Sequence, residues 1–235
     1  MEIKASGTAL AGAEVLAVEQ RDLVVDLAFQ LRGAFMPADH GYLLYSAVSQ
    51  HLPWLHGDES LGIHPIRGQL AGQRQLVLTR ESQLVLRLPV AKIPAAIRLA
   101  GQRLDLDGAS LLVGVPTIRP LLPRVALYSR LVVIKGFLEP AAFLDAAQRQ
   151  LAERDIAGSA SLVPRRRERP VEDGAGSREP VVRRTLRIHD REVVGFAVLV
   201  SGLGPEDSIQ LQTVGLGGRR RFGCGIFLPT PEPRA

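Results

Sequence analysis

The stretch Gly215-Leu-Gly-Gly-Arg-Arg-Arg-Phe-Gly-Cys-Gly225 narrows the choice of fold more than any other part of the chain. Two Gly-X-Gly triplets, 215–217 and 223–225, flank five residues of which three are arginine. Glycine permits positive φ and the close approach of another chain. Successive N–H groups in such a loop form anion-binding concavities. Arg219, Arg220 and Arg221 add charge-assisted, bidentate reach toward phosphate. The nucleotide-binding loops fail on their defining residues. A P-loop needs Lys and then Ser/Thr after its last glycine, whereas Cys224 and Gly225 follow Gly223. A dinucleotide fingerprint needs a third glycine where Arg220 stands, and it opens a helix early in a βαβ unit. What remains is a loop that grips a polyanionic backbone, beside the simpler reading of a surface turn with solvated arginines.

The order of elements leading to that loop is informative. Val25, Leu27, Phe29 and Leu31 alternate as in a half-buried strand. Gly33 to Pro37 breaks the strand, Asp39 is placed to cap a helix, and Leu43, Leu44, Ala47, Val48 and Leu52 recur at helical spacing until Pro53. Gly62–Arg67 reads as an extended edge segment. Gln75–Leu78 and Leu84–Leu88 read as a hairpin about residues 80–82, 91–100 as a second helix, and 102–113 as strand. That is β-α-β-β-α-β, the ferredoxin-like order. Pro116, Pro120 and Pro123 then suggest a stiff linker. A second pass runs through a strand at 126–137, a helix from Pro140 to about Arg154 and a strand near 159–163. A charged, proline-bounded loop at 164–180 follows, then paired strands 181–188 and 193–199 and a helix from Pro205 to about Thr213. Gly225–Leu228 is the last strand. Residues 1–20 read as a lead without firm periodicity, and those from Pro229 as a tail. The expected fold is α+β, with two tandem ferredoxin-like domains at 21–118 and 124–230 and a C-terminal glycine-rich loop.

Composition limits the partners and the chemistry. A net charge of +5 and a pI near 10 favour an anionic partner, and nucleic acid is the commonest one. Of 29 basic residues only Lys4, Lys92 and Lys135 are lysine. Cys224 is the sole cysteine, which excludes disulfides within the chain and thiolate zinc sites. His51, His56 and His64 fall in no H-E-x-x-H frame, with Asp58 and Glu59 the only nearby acids, so neither a metal nor a cofactor is expected. No apolar run reaches membrane-spanning length and Glu2, Glu14, Glu19 and Asp22 interrupt the N-terminus, so a cytoplasmic protein is expected, without membrane contact.

The G-x-G-x5-G-x-G pattern near the C-terminus, before a short apolar strand, resembles the glycine-rich loop of the RAMP superfamily, the CRISPR-associated RNA-binding proteins. A second stretch, Met36-Pro-Ala-Asp-His-Gly-Tyr-Leu-Leu-Tyr-Ser46, resembles the first-helix segment of the repeat-processing endoribonucleases in that superfamily. With the following "GIHPIRG" it is similar to the variety found in myxobacterial-type CRISPR systems, and the likeness spans about 23–228. The resemblance implies tandem ferredoxin-like domains and a metal-independent cut of precursor CRISPR RNA that leaves a 2′,3′-cyclic phosphate and a 5′-hydroxyl. It also implies a catalytic histidine at the helix start, the position of His40, with other effector-complex subunits as further partners.

The residue types agree with that chemistry. RNA carries its own nucleophile, so a base for the 2′-hydroxyl and an acid for the leaving 5′-oxygen suffice, and histidine titrates near working pH. A helix N-terminus disfavours the imidazolium and keeps the ring available as a base. The plainer role for His40 is to start a helix. Tyr42 and Tyr45 are candidates to orient the ribose or phosphate, with packing as the alternative. Relatives place a lysine on this helix, but none falls between 5 and 91 here, so Arg67 and Lys135 become candidates for charge stabilisation. Gly215, Gly217, Gly218, Arg219, Arg220, Arg221, Gly223 and Gly225 are the expected RNA-binding loop. Arg165, Arg166, Arg167, Arg183, Arg184 and Arg187 form a second basic group, in which alternation places Arg183 and Arg187 on one face. The alternative function is a non-catalytic RNA-binding subunit of the same superfamily. An RRM-type binder is disfavoured, because the central strands lack the stacking aromatics.

Overall fold

Alternating burial along Val24–Arg32 (β1) makes it the centre of the first sheet, with Leu27 and Phe29 fully enclosed. The computed structural model of the chain describes residues 23–58, 60–165 and 181–230. The expected lead at 1–20, Glu59, most of the charged loop with Arg166 and Arg167, and the tail from 231 lie outside the described residues. After β1 come β2 (Phe35–Pro37), α1 (Gly41–His51), β3 (Gly62–Ile63), β4 (Gln69–Ala71), β5 (Gln75–Val77) and β6 (Gln83–Pro89). A short α2 (Ile93–Ala96), extended by 3₁₀ turns on both sides, leads to β7 (Arg103–Leu106) and β8 (Ala109–Pro120). The second half holds β9 (Ala126–Val132), α3 (Pro140–Ala152), β10 (Ser159–Leu162), β11 (Arg183–Ile188), β12 (Arg191–Ser201), α4 (Pro205–Val214) and β13 (Leu228–Pro229).

The first sheet has the antiparallel order β3-β6-β1-β8-β7 and the second β10-β12-β9-β13. Phe196 pairs with Val132 of β9 on one side and Arg183 of β11 on the other, so β11 continues the edge that β10 begins along β12. Helix α1 buries Leu44, Tyr45, Ala47 and Val48, the face its apolar spacing requires.

Several expectations are corrected. Gln75–Val77 and Gln83–Pro89 do not form a hairpin: β5 joins β2 and β4 in a small separate sheet, while β6 pairs with β1 and β3. The Thr79–Ser82 turn, closed by the Ser82 amide on the Thr79 carbonyl, redirects the chain between them. Pro116 and Pro120 are strand residues rather than linker, because β8 runs alongside β1 to Val25↔Pro120. Pro229 belongs to β13 and pairs with Leu127. Asp39 does not cap α1; its Oδ2 accepts the Arg187 amide at 3.0 Å.

Two features join the halves. Leu216 is buried in the core built on β9–β13, whereas Phe222 and Cys224 are buried in the core of the first sheet. The glycine loop thus contributes side chains to both cores. Arg87 on β6, only 1% exposed, supplies the other link. It is bidentate to its cross-strand partner Asp26 (2.8 and 2.9 Å) and donates from Nη1 to the carbonyls of Gln212 (3.0 Å) and Phe227 (2.8 Å) in the second half. His64 Nε2 lies 3.2 Å from Asp26 Oδ1. Burial alone would push the Asp26 carboxyl up, but Arg87 and His64 together hold it well below the usual carboxylate range. Burial pushes the His64 pKa down, against the pull of Asp26.

Candidate active site

The segment between β2 and α1 fixes His40 before any ligand arrives. The carbonyls of Pro37 and Ala38 both lie 3.1 Å from Nδ1, which therefore carries the proton. Nε2 accepts the Ile66 amide at 3.0 Å, and the residue is 3% exposed. Burial, helped by the charge of Arg130, outweighs those carbonyl contacts and lowers the pKa to about 4. His40 is neutral near pH 7, in one tautomer and one orientation. The helix start docks on the second half because position 41 is glycine. A Cβ there would stand 2.5 Å from the Phe222 carbonyl oxygen and 2.8 Å from Leu186 of β11.

His40 borders a cleft of about 380 Å³ between the halves, walled by Pro65, Arg74, Arg130, Arg184, Phe222 and Gly223. A continuation shares His40, Arg130 and Arg184 and adds Arg67 and Tyr128. A further cleft meets the first at Asp39 and Arg74 and carries Tyr42, Arg187 and His189. Arg184 Nε is buried with no acceptor among the described residues. Partial burial and then the neighbouring Arg184 charge lower the pKa of Arg130. The groove is cationic, and its arginines come from segments of both halves: the β3–β4 connection, the β4–β5 turn, β9 and β11.

The Cas6 CRISPR family model matches residues 25–232. A CRISPR-associated endonuclease Cas6 of Myxococcus xanthus (strain DK1622) is 37% identical over 205 residues, covering 87% of this chain and 81% of that protein. The chain belongs to the Cas6 family. Among solved structures, this Cas6 chain is similar in fold to a CRISPR-associated protein Cas6 (TM-score 0.60, 10% identity, 88% of this chain and 100% of that one). It is also similar to a RAMP protein that binds different RNA substrates (TM-score 0.61, 12% identity, 86% and 98%). A third likeness is to a Cas6-related protein of Pyrococcus furiosus (TM-score 0.60, 11% identity, 89% and 100%).

The sequence-derived candidates are distributed unevenly around the groove. His40, Arg67 and Gly223 border it. Tyr42 lies in the adjoining cleft, its hydroxyl 2.6 Å from His189 Nε2. Tyr45 points elsewhere: its hydroxyl meets His56 Nδ1 at 3.0 Å and its ring packs edge-on against Phe222. Arg187 borders the Tyr42 cleft, Arg183 is exposed with its guanidinium 6.0 Å from the Phe196 ring, and Lys135 is exposed beyond the end of β9. His51 Nε2 lies 3.2 Å from the Arg103 carbonyl oxygen.

The glycine loop is a packing device more than an open anion cradle. The amides of Gly217, Gly218, Phe222, Gly223, Cys224 and Gly225 all donate to protein acceptors: Gln150, Val133, Arg219, Arg220, Arg219 and Leu131. Gly215 and Gly225 have φ of 66° and 64°, and a Cβ on either would lie within 2.2 Å of the opposing triplet's carbonyl oxygen. Gly217, at φ 68°, is as close to the Val133 carbonyl, whereas Gly218 is open. Of the three arginines, Arg219 is exposed, Arg220 turns inward and donates to the Ser60 carbonyl (3.4 Å), and Arg221 lies over the Tyr45 and Phe222 rings. Burial, with Arg87 nearby, lowers the Arg220 pKa to about 10. Burial also pushes the Cys224 thiol up to about 12, which makes it inert at neutral pH.

Two groove arginines, Arg74 and Arg130, have no counterpart among the sequence candidates, and Arg184 belongs to the second basic group but not to the strand face of Arg183 and Arg187. Arg184 shares its strand face with Leu186 and Ile188, which turn inward. An arginine in phase with apolar residues was the available signal. Among the described residues no helix is long and apolar enough to cross a membrane.

Proposed function

We propose that this Cas6-family chain is an endoribonuclease that binds the repeat of a precursor CRISPR RNA in the groove and cuts it without a metal, yielding guide RNA in the cytoplasm. In this reading the halves are two ferredoxin-like domains, 21–118 and 124–230. The order second-third-first-fourth along each principal sheet supports it, with β7 an added edge in the first. The observation that carries the functional reading is a buried, neutral histidine bordering a cleft that arginines of both halves surround. Arg130 and Arg184 stand as neighbouring like charges, and a phosphate between them relieves their repulsion. The endonuclease name of the Myxococcus xanthus relative and the RNA-binding of the RAMP structure point the same way.

The chemistry follows from the ring's state. With Nδ1–H tied to two carbonyls, Nε2 carries the lone pair that accepts the Ile66 amide, and it is unprotonated near pH 7. The substrate 2′-hydroxyl takes the place of the Ile66 amide on Nε2 and gives up its proton as the oxygen attacks phosphorus. The P–O5′ bond then breaks, leaving a 2′,3′-cyclic phosphate and a 5′-hydroxyl. Arg130 and Arg184 stabilise the dianionic phosphorane as preorganised cations in a partly dry site.

The engagement of both His40 nitrogens favours a second reading, a non-catalytic RNA-binding subunit in which His40 only starts the helix. His40→Ala separates the two. The cleaving reading expects the cut in repeat RNA to disappear while affinity stays within a few-fold, and unchanged cutting removes His40 from the mechanism.

A further inference from the structure

The groove holds a second imidazole that the reaction above leaves unused. His189 opens the two-residue turn between β11 and β12, with φ 52°, a conformation uncommon outside glycine in which Asn, Asp and His are enriched. Its ring is exposed, and Nε2 lies 2.6 Å from the hydroxyl of Tyr42 on α1, which is 147 positions away. The two rings pack at 4.4 Å between centroids, and Tyr42 rests on Phe222 of the glycine loop at 6.0 Å. Both border the cleft that joins the His40 cleft at Asp39 and Arg74, with Arg187 alongside. The His40 and His189 clefts thus share two walls, Asp39 and Arg74.

We propose that His189 is the general acid of the cleavage reaction and Tyr42 its positioning residue; the proposal rests on the endoribonuclease reading above. His40 is suited to accept a proton and not to deliver one, because burial keeps it neutral and its Nδ1–H is committed to the Pro37 and Ala38 carbonyls. The departing 5′-oxygen needs a donor from elsewhere. The proton of the 2′-hydroxyl passes to His40 Nε2 while O2′ bonds to phosphorus. The P–O5′ bond breaks, and O5′ takes a proton from one ring nitrogen of the His189 imidazolium, while the other keeps its N–H on the Tyr42 oxygen. Exchange with water deprotonates His40 and reprotonates His189.

A substrate with sulfur in place of the bridging 5′-oxygen tests the assignment, because a thiolate leaves without a proton. Single-turnover cleavage of ordinary and 5′-thio repeat RNA is measured for wild type, His189→Asn, Tyr42→Phe and His40→Ala, with RNA affinity and circular dichroism for each. Asparagine tolerates the positive φ of the turn. His189→Asn is expected to lose about 10²–10⁴-fold on ordinary RNA, the usual contribution of a positioned acid, and to return within about 10-fold of wild type on the thio substrate. Tyr42→Phe shows a smaller loss with the same rescue, and His40→Ala is rescued on neither. A His189→Asn enzyme that cuts ordinary RNA within about 3-fold of wild type, or that loses equally on both substrates, overturns the assignment and leaves the endoribonuclease reading standing. A wild-type chain that binds both RNAs and cuts neither overturns both.

Discussion

Replacing Arg87 with methionine tests how the two halves are held in the arrangement that builds the groove. The substitution keeps most of the buried volume but deletes four hydrogen bonds, two to Asp26 and one each to the Gln212 and Phe227 carbonyls. Asp26 is left as a mostly enclosed carboxylate with His64 beside it, and two carbonyls lose their donor. Removing one partner of a buried ion pair costs about 3–5 kcal/mol, because the remaining charge is uncompensated. For a chain of this size each kcal/mol lowers Tm by roughly 2–4 °C, so a fall of roughly 6–20 °C is expected. Asp26→Asn in the Arg87→Met background should recover at least about 1 kcal/mol, since it removes the stranded charge. The pH dependence has a definite sign. The Asp26 carboxyl lies below its ordinary range in the folded chain, so its contribution is complete above about pH 4 and is lost as pH falls further; in Arg87→Met that acid loss disappears. Urea unfolding followed by far-ultraviolet circular dichroism at pH 7 and pH 3.5 measures all of this. An Arg87→Met chain within about 1 kcal/mol of wild type, or a double variant no better than the single one, refutes the interlock.

Three further outcomes follow from the site. Arg130→Ala with Arg184→Ala should weaken RNA binding and lower the log–log salt slope by about 0.7 for each lost phosphate contact, as titrations between 50 and 300 mM salt would read out; an unchanged slope places the RNA elsewhere. Gly217→Ala, whose Cβ would stand 2.3 Å from the Val133 carbonyl oxygen at φ 68°, should destabilise the chain by about 1–3 kcal/mol, whereas Gly218→Ala, with open space, should cost under about 1. His40 is neutral when folded, with its pKa lowered to about 4, so the unfolded chain binds the extra proton and stability falls as pH drops from about 6.5 toward 4. His40→Gln should blunt that decline, and an unchanged pH profile would mean that the ring is not buried as described.

Local patterns carried most of the fold. Alternation in β1, apolar spacing in α1, the proline that opens α3, and the turn at His189-Asp190 follow from short-range rules, and the structure places these elements where those signals do. The Gly-X-Gly triplets announced close backbone approach, which Gly215 against Gly225 displays. Their arginines did not announce their directions: Arg220 and Arg221 are drawn inward by Ser60, Tyr45 and Phe222, residues far away in the chain. The same limit explains why Arg183 and Arg187 were selected over Arg184. Alternation defines two strand faces, but which one meets the groove is set by Leu186 docking on Gly41. The pairing of β5 with β2 and β4 was also out of reach, because short strands of three residues carry too little periodicity to choose a partner. His40 was visible by position, but the Ile66 amide that occupies Nε2 was not.

The most direct test of the endoribonuclease account is single-turnover cleavage of repeat RNA in excess EDTA, with and without one 2′-deoxynucleotide immediately 5′ of the scissile phosphate. The account predicts that the all-ribose substrate is cut in EDTA to a 2′,3′-cyclic phosphate and a 5′-hydroxyl. It also predicts that the deoxy substrate binds with unchanged affinity and is not cut. Cleavage of the deoxy substrate, together with loss of all activity in EDTA, would identify a metal-activated water as the nucleophile and contradict the mechanism assigned to His40.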